Sequence, residues 1–423
     1  MSFEVAPSTL ESLEWRRLIE SLGACCRTPQ GRRSILDDAP GRLFEPSADG
    51  VRARLAETSE ARRLVDEETL PPVGGARELA AILARSEKGG ILEAAELVDV
   101  RRTLEALHAT LRFFDRRREH TPRLSLLAME IVESPRLEAR IERCIDESGE
   151  VRDAASPLLA ESRREAQRLA SELQSRIERT LRHEDVQPHL SAQYYTVRNG
   201  RFVLPVKAGA KGQVRGIVHD ASRSGTTLFV EPDGMVDLNN RHRESELTVE
   251  REILRVMREL SSEVAQQAAS IRASLEWLER IDCAMARGRL SYEHEAMEPT
   301  VGTDGVFELP GLRHPLITAD SCIPNDLRLG RDFSVLLLSG PNAGGKTVAL
   351  KSIALAALMV RAGLHVPADP GARVDLVDRV LADIGDHQDI QESLSTFSAA
   401  MANLAEILRA AGPDKSTHHS RHD

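Results

Sequence analysis

Gly340-Pro341-Asn342-Ala343-Gly344-Gly345-Lys346-Thr347 is the stretch on which the reading of the chain turns. It fits G-x-x-x-x-G-K-[ST], and its surroundings are those the pattern requires. The apolar run 333–339 in front reads as a buried strand, and 348–362 behind reads as a helix. Glycines at these positions let backbone N–H groups turn onto phosphate oxygens. The following helix aims its N-terminal partial charge at the same place. Lys346 then belongs between the β- and γ-phosphates, and the Thr347 hydroxyl belongs on Mg²⁺. The sequence therefore predicts a nucleotide site with ATP and Mg²⁺ as cofactors. The alternative is a glycine-rich strand-to-helix turn with no ligand.

A P-loop enzyme also needs an acidic pair at the end of a second buried strand. Downstream of Lys346 no Asp-Glu follows four apolar residues. Asp383 closes Val380-Leu381-Ala382, a segment whose 379–382 stretch reads as a second strand, but Ile384-Gly385 follows it. Asp66-Glu67 and Asp146-Glu147 lie upstream in polar, helical contexts. The expectation is a nucleotide domain that stops short of its metal-binding strand, with no complete catalytic set. Residues 411–423 are polar and patternless and are expected to be disordered. Metal binding by His418, His419 and His422 is the competing reading.

Working outward, the 423 residues hold 56 Lys+Arg against 66 Asp+Glu, a net charge of −10. That balance argues against a coat protein for nucleic acid, though not against a local basic groove. Aromatics are only 3%, so the core must be built from Leu, Val, Ile and Ala, which favours long helices. No apolar run is long enough to span a membrane, and no signal peptide is visible. Cys25, Cys26, Cys144, Cys283 and Cys322 are odd in number and scattered, a pattern of reduced thiols in a soluble, cytoplasmic protein.

Residues 1–190 read as mostly helical. Ser8 and Glu11 form an S-x-x-E capping box. Pro71-Pro72, Gly74-Gly75 and Gly89-Gly90 break the helices. In 158–181, Ala166, Leu169, Leu173, Ile177 and Leu181 make a narrow apolar stripe. Residues 193–231 change to strand formers, with Asn199-Gly200 as a tight hairpin turn. Residues 236–290 return to helix, with a seam of Ile253, Met257, Leu260, Val264, Ile271, Leu275 and Leu278 and no Pro or Gly before Gly288. Such a helix is on the order of 60–70 Å long. It reads as one strand of an antiparallel coiled-coil arm paired with 158–181, or else as a buried helix of a bundle.

Together these segments resemble a family. Gly340–Thr347 with Asn342 is similar to the MutS form of the P-loop, and 393–401, holding Ser395-Thr396-Phe397, is similar to that family's signature segment. Gly311-Leu312-Arg313-His314-Pro315 and Ile323-Pro324-Asn325-Asp326 resemble the opening of its ATPase domain. Residues 197–207, 216–220 and 224–232 are similar to its second bacterial branch, the type-two proteins that carry a C-terminal Smr nuclease domain.

The resemblance implies a mainly α fold with a small β insertion, then an incomplete α/β P-loop domain of ABC type, with a long antiparallel coiled-coil arm. The implied organisation is a helical core and lever at 1–135, the first part of the arm at 136–192 and a small β segment at 193–235. The long helix follows at 236–295, the truncated ATPase domain at 296–410 and the tail at 411–423. The implied function is an ATP-dependent clamp on branched or double-stranded DNA, on recombination intermediates or on stalled ribosomes and their rRNA, working as a homodimer. In that dimer Ser395 and Thr396 reach the partner's nucleotide, although they also suit a helix N-cap. The competing function is a non-enzymatic dimerisation or nucleic-acid-binding fragment.

Three departures stand out. The Phe-x-Glu wedge of the mismatch-reading branch is not apparent, since Phe229-Val230-Glu231 matches by letters only. The second acidic strand and everything beyond it, the Smr domain included, are missing. Cys322 takes the place of an aromatic that stacks on adenine.

Residues 191–230 carry Arg198, Arg201, Lys207, Lys211, Arg215 and Arg223 against Asp220 alone, interleaved with Tyr194, Tyr195 and Phe202. This composition suits contacts to phosphate and sugar. A solvated β-surface is the other reading.

Overall fold

The computed structural model describes residues 3–37, 43–318, 320–339, 345–382, 384 and 405. The described chain is mainly helical with small sheets, and it divides into two compact units. Met1–Glu78, Glu105–Glu133 and Ser270–Asp423 form one; Leu79–Leu104 and Ser134–Ala269 form the other. Among the described residues no helix is long and apolar enough to cross a membrane.

The first unit is a cluster of short helices closed by strands. Helices Pro7–Ser12, Trp15–Ala24, Pro29–Leu36 and Ala48–Asp66 bury Leu18, Leu22, Ile35 and Leu55 against Leu290, Leu355 and Leu358. The expected capping box at Ser8 does not form. The first helix begins at Pro7 with Ala6 as its uncapped N-cap, because proline is preorganised for the first helical position and lacks the N–H a cap would satisfy. The turn at Arg27–Thr28 is held by a buried carboxylate. Asp282, fully buried, accepts from the N–H of Arg27 (3.0 Å), the N–H of Thr28 (2.7 Å) and the Thr28 hydroxyl (2.7 Å). Burying an ion is tolerated only when donors replace its water.

A three-stranded antiparallel sheet has Phe307–Leu312 between Asn325–Leu329 and Arg373–Val374. A second, two-stranded parallel pair joins Glu4–Val5 to Arg379–Val380. The expected strand at 333–339 is not formed. Val335 is 80% and Leu337 88% exposed, and only the Leu336 side chain packs on the core. A strand exists by hydrogen bonding to a neighbour, and no described strand lies beside this run.

The expected long helix is a single element, Val236–Glu293, of 58 residues. At 1.5 Å per residue it is about 87 Å long, beyond the length expected from the sequence. Its first part belongs to the second unit and its last part to the first. The seam holds at Met257, Leu260, Val264, Ile271 and Leu278 but not at Ile253 or Leu275, which are only half-buried. At the latter the neighbouring Ser274 is buried instead, accepting from the Val132 N–H at 3.0 Å. Gly288 marks a close helix crossing: a Cβ there would stand 2.7 Å from the backbone of Ala61 and Arg62.

The second unit is built on a four-stranded antiparallel sheet in the order Thr196–Arg198, Arg201–Lys207, Thr227–Pro232, Gly216–Ala221. Asn199 and Gly200 have φ of 54° and 71°, so the first hairpin turns through the two left-handed residues that an Asn-Gly loop supplies. Helix Pro157–Leu181 runs antiparallel to the long helix near its start, with Arg241 on Glu165 at 3.1 Å and the Ser156 hydroxyl on Glu252 at 2.5 Å. Further along, its stripe of Leu169, Leu173 and Ile177 packs with Leu204, Val206 and Val230 of the sheet and with Leu238. The stripe's lower half thus belongs to a helix-on-sheet core, where a helix pair alone was expected.

Candidate functional site

Of the phosphate loop, Gly340, Pro341, Asn342, Ala343 and Gly344 lie outside the described residues; Gly345, Lys346 and Thr347 lie within them. Gly345 sits in the left-handed region (φ 75°, ψ 9°) as N-cap of helix Lys346–Arg361, and among the described residues a Cβ there would meet no atom within 4 Å. Its carbonyl accepts the Ala349 N–H at 3.0 Å, so the helix is hydrogen-bonded from its first turn. The N–H groups of that turn have no partner within the helix. Lys346 is half-buried and Thr347 is exposed. A left-handed glycine and a lysine and hydroxyl at one helix N-terminus fit a nucleotide phosphate with its Mg²⁺.

The helix is anchored at both ends. Leu355, Leu358 and Val360 are buried in the core of the first unit. Near the other end Lys351 Nζ donates to Glu14 Oε1 at 2.9 Å. Glu14 occupies a left-handed position (φ 55°) between the first two helices. The Lys351 hydrogen bond, seconded by Arg17, pulls its carboxyl down to about 2.

The two segments singled out before the loop lie side by side. Gly311–His314 and Asn325–Asp326 meet at the end of the antiparallel pair, where Leu312 is in register with Asn325 and Asp326 Oδ1 accepts the Gly311 N–H at 2.8 Å. Gly311 has φ of 56°, and a Cβ there would clash with the Asp369 carboxylate. His314 is buried and its backbone N–H donates to Cys322 Sγ at 3.2 Å; burial, before the nearby Lys351 charge, lowers the ring's pKa. Asp383, Ser395, Thr396 and the tail 411–423 lie outside the described residues.

The six basic candidates for nucleic acid all fall on the second unit, with unequal partners. Arg201 is engaged inward: its guanidinium donates to the fully buried Glu231 at 2.9 and 3.1 Å and to Asn240 at 2.7 Å, and His219 Nε2 lies 2.5 Å from the same carboxylate. Arg198 pairs with Asp220 at 3.4 Å and stacks over Phe229. Lys207 Nζ donates to the Pro188 carbonyl at 2.9 Å. Lys211, Arg215 and Arg223 are exposed.

Arg215 lines a cleft of about 790 Å³ with Arg176, Arg179 and His183 of the preceding helix and its turn. Arg176 and Arg179 escaped the sequence reading because they sit among alternating charges on an amphipathic helix. Only the fold brings them to the sheet. The aromatic component is divided: Tyr195 stacks on Phe202 with centroids 5.8 Å apart, while Tyr194 is half exposed beside Arg182 and Gln193.

The model of MutS domain V matches residues 336–416. The chain is 41% identical over 407 residues to the endonuclease MutS2 of Pelotomaculum thermopropionicum, covering 96% of this chain and 51% of that protein. It is 41% identical over 402 residues to the endonuclease MutS2 of Symbiobacterium thermophilum (95% and 50%) and 37% identical over 403 residues to that of Bacillus velezensis (95% and 51%). The chain spans about half the length of the curated relatives it matches.

Proposed function

We propose, from the premise that the chain belongs to the type-two, MutS2 branch of the MutS family, that it is a DNA-binding protein whose grip responds to ATP. The observation that carries the nucleotide half is the left-handed Gly345 opening helix Lys346–Arg361, with Lys346 and Thr347 on its first turn. In this reading the helix N-terminus and Lys346 bind the phosphates, and Thr347 holds the metal. Mg²⁺, when bound, neutralises phosphate charge. Glu14 and Lys351 hold the helix against the N-terminal helices, so loading the helix N-terminus bears directly on the core of the first unit. Pro157–Leu181 and Val236–Glu293 are the arm, and the four-stranded sheet is its nucleic-acid-facing part. A homodimer in which Ser395 and Thr396 reach across to the partner's nucleotide completes the proposal. Branched DNA is the preferred partner, and ribosomes are the competitor to be tested beside it.

The test is Lys346→Ala measured with a fluorescent ATP analogue. Nucleotide affinity should fall by at least about tenfold, which is the order expected when one charged hydrogen-bond partner of a phosphate is removed. Equal affinity in wild type and variant would refute the site.

A second reading is favoured by one observation, the exposure of Val335 and Leu337 in front of the loop. A phosphate loop whose leading segment is not held in a sheet fits a binding or dimerisation fragment that does not turn nucleotide over. Lys346-dependent hydrolysis by this 423-residue chain would remove that reading.

A further inference from the structure

Several arginines of the second unit are neutralised where they stand. Arg140 pairs with Glu259 and Glu263, Arg163 with Asp153, Arg168 with Glu165 and Glu172, Arg241 with Glu165, and Arg243 with Glu246, all within 3.3 Å. The arginines of the cleft differ. Arg176, Arg179 and Arg215 are exposed, and none makes an ion pair among the described residues. The Arg176 guanidinium reaches to the turn after strand Thr227–Pro232, with Nη2 3.7 Å from where a Gly234 Cβ would be. Arg179 Nε is tied only to the Ser175 carbonyl at 3.2 Å. Arg215 is fixed through its backbone, its carbonyl accepting the Asp233 N–H at 3.2 Å. Asp185 is the one carboxylate lining the cleft. It is 90% exposed, and His183 Nδ1 lies 3.6 Å from it.

Three guanidiniums line this cleft without an ion pair among the described residues, with the single exposed carboxylate of Asp185 beside them. Like charges gathered in one concavity repel one another unless an anion is brought in. The cleft is open and about 790 Å³ in volume, and it lies between a helix end and a strand start. That shape admits a chain of phosphates passing through. We propose that Arg176, Arg179 and Arg215 form a binding site for the phosphodiester backbone of nucleic acid. The inference rests on the DNA-binding reading above and names its contact surface. That surface is this cleft, while Arg198, Arg201 and Lys207 support the sheet.

The experiment uses the full chain and a fluorescein-labelled duplex bearing a single-stranded flap, with binding followed by anisotropy over a series of KCl concentrations. The triple variant Arg176→Gln, Arg179→Gln, Arg215→Gln should bind about tenfold more weakly or worse at low salt. Its plot of log affinity against log salt should be shallower by about 2.7, three phosphate contacts at about 0.9 each. A control triple of paired arginines, Arg163→Gln, Arg168→Gln, Arg241→Gln, should keep the wild-type slope. All six side chains lie at the surface, and matching circular dichroism melts establish that both variants fold. A wild-type slope in the cleft variant, or an equal loss in the control, overturns the site and leaves the DNA-binding reading standing. A wild-type chain that binds no DNA overturns both. Displacement of the duplex by inorganic tripolyphosphate at equal phosphate concentration would reassign the cleft to a small polyanion and likewise overturn the proposal.

Discussion

The His365 ring is enclosed in the first unit, 5% exposed, with Nδ1 2.8 Å from the Ser291 hydroxyl and Nε2 2.9 Å from the Ser59 hydroxyl. Ser59 in turn bonds Glu298 at 2.5 Å, while Arg62 Nη1 donates to Ser291 at 3.1 Å. The simplest proton arrangement has Ser291 donating to Nδ1 and Nε2–H donating to Ser59, which satisfies a neutral ring. A second proton would sit on Nδ1, facing a hydroxyl that already accepts from a guanidinium. Burial first, and then the Arg62 charge, lower the ring's pKa from 6.5 to about 4.

The sign follows from linkage. At pH 7 the ring is mostly neutral in both states. As the pH falls through 6.5 the unfolded chain takes up a proton that the folded chain refuses until about pH 4, so stability is lost across that window. Integrating between pH 7 and pH 5 gives a loss of about 2 kcal/mol, rising to about 3 kcal/mol below pH 4. His294 and His314, both lowered by burial, act in the same direction, so the assay must be differential. Urea denaturation of wild type and His365→Gln, followed by circular dichroism at pH 7, 6 and 5, supplies it. The variant is expected to be less stable at pH 7 but to lose about 2 kcal/mol less on acidification. Equal pH slopes for the two proteins would show that His365 titrates normally and that the enclosure argued here is wrong.

Two other substitutions probe the same unit. Gly288→Ala should destabilise by up to about 2 kcal/mol in the same urea assay. The new Cβ would press on backbone atoms 2.7 Å away, an overpacking cost of about 1–3 kcal/mol that exceeds the roughly 1 kcal/mol helix-propensity gain of alanine; a stabilised variant would refute the close crossing. Asp282→Asn keeps the shape but turns an amide N–H₂ toward donors at Arg27 and Thr28, so a loss of about 2–4 kcal/mol is expected, and a change within experimental error would show that the carboxylate does not hold the turn.

What the sequence disclosed was what neighbouring residues dictate to one another. Asn199-Gly200 specified its hairpin because both residues tolerate positive φ, and the run without proline or glycine specified an unbroken helix. What it did not disclose depends on partners distant in the chain. Leu275 fits the heptad count, yet Ser274 is the residue that faces inward, because Val132 offers it a backbone N–H from 142 positions away. Ser8 and Glu11 have the letters of a capping box, yet the helix starts at Pro7, two residues before the Thr9 that such a box would open on.

The run 333–339 has a strand's composition, but composition supplies only the faces of a strand; its edges must be met by other strands, and none described lies beside it. The basic segment shows the same limit for function. Six basic residues in 191–230 look equivalent as letters. Glu231, 30 positions from Arg201, claims one of them for the interior, and the Pro188 carbonyl claims Lys207. Arg215 instead gains two companions, Arg176 and Arg179, from a helix that no local pattern links to it. A net positive count therefore marks a basic segment, while the fold decides which of its guanidiniums are left without a carboxylate among the described residues and so stay open to a phosphate.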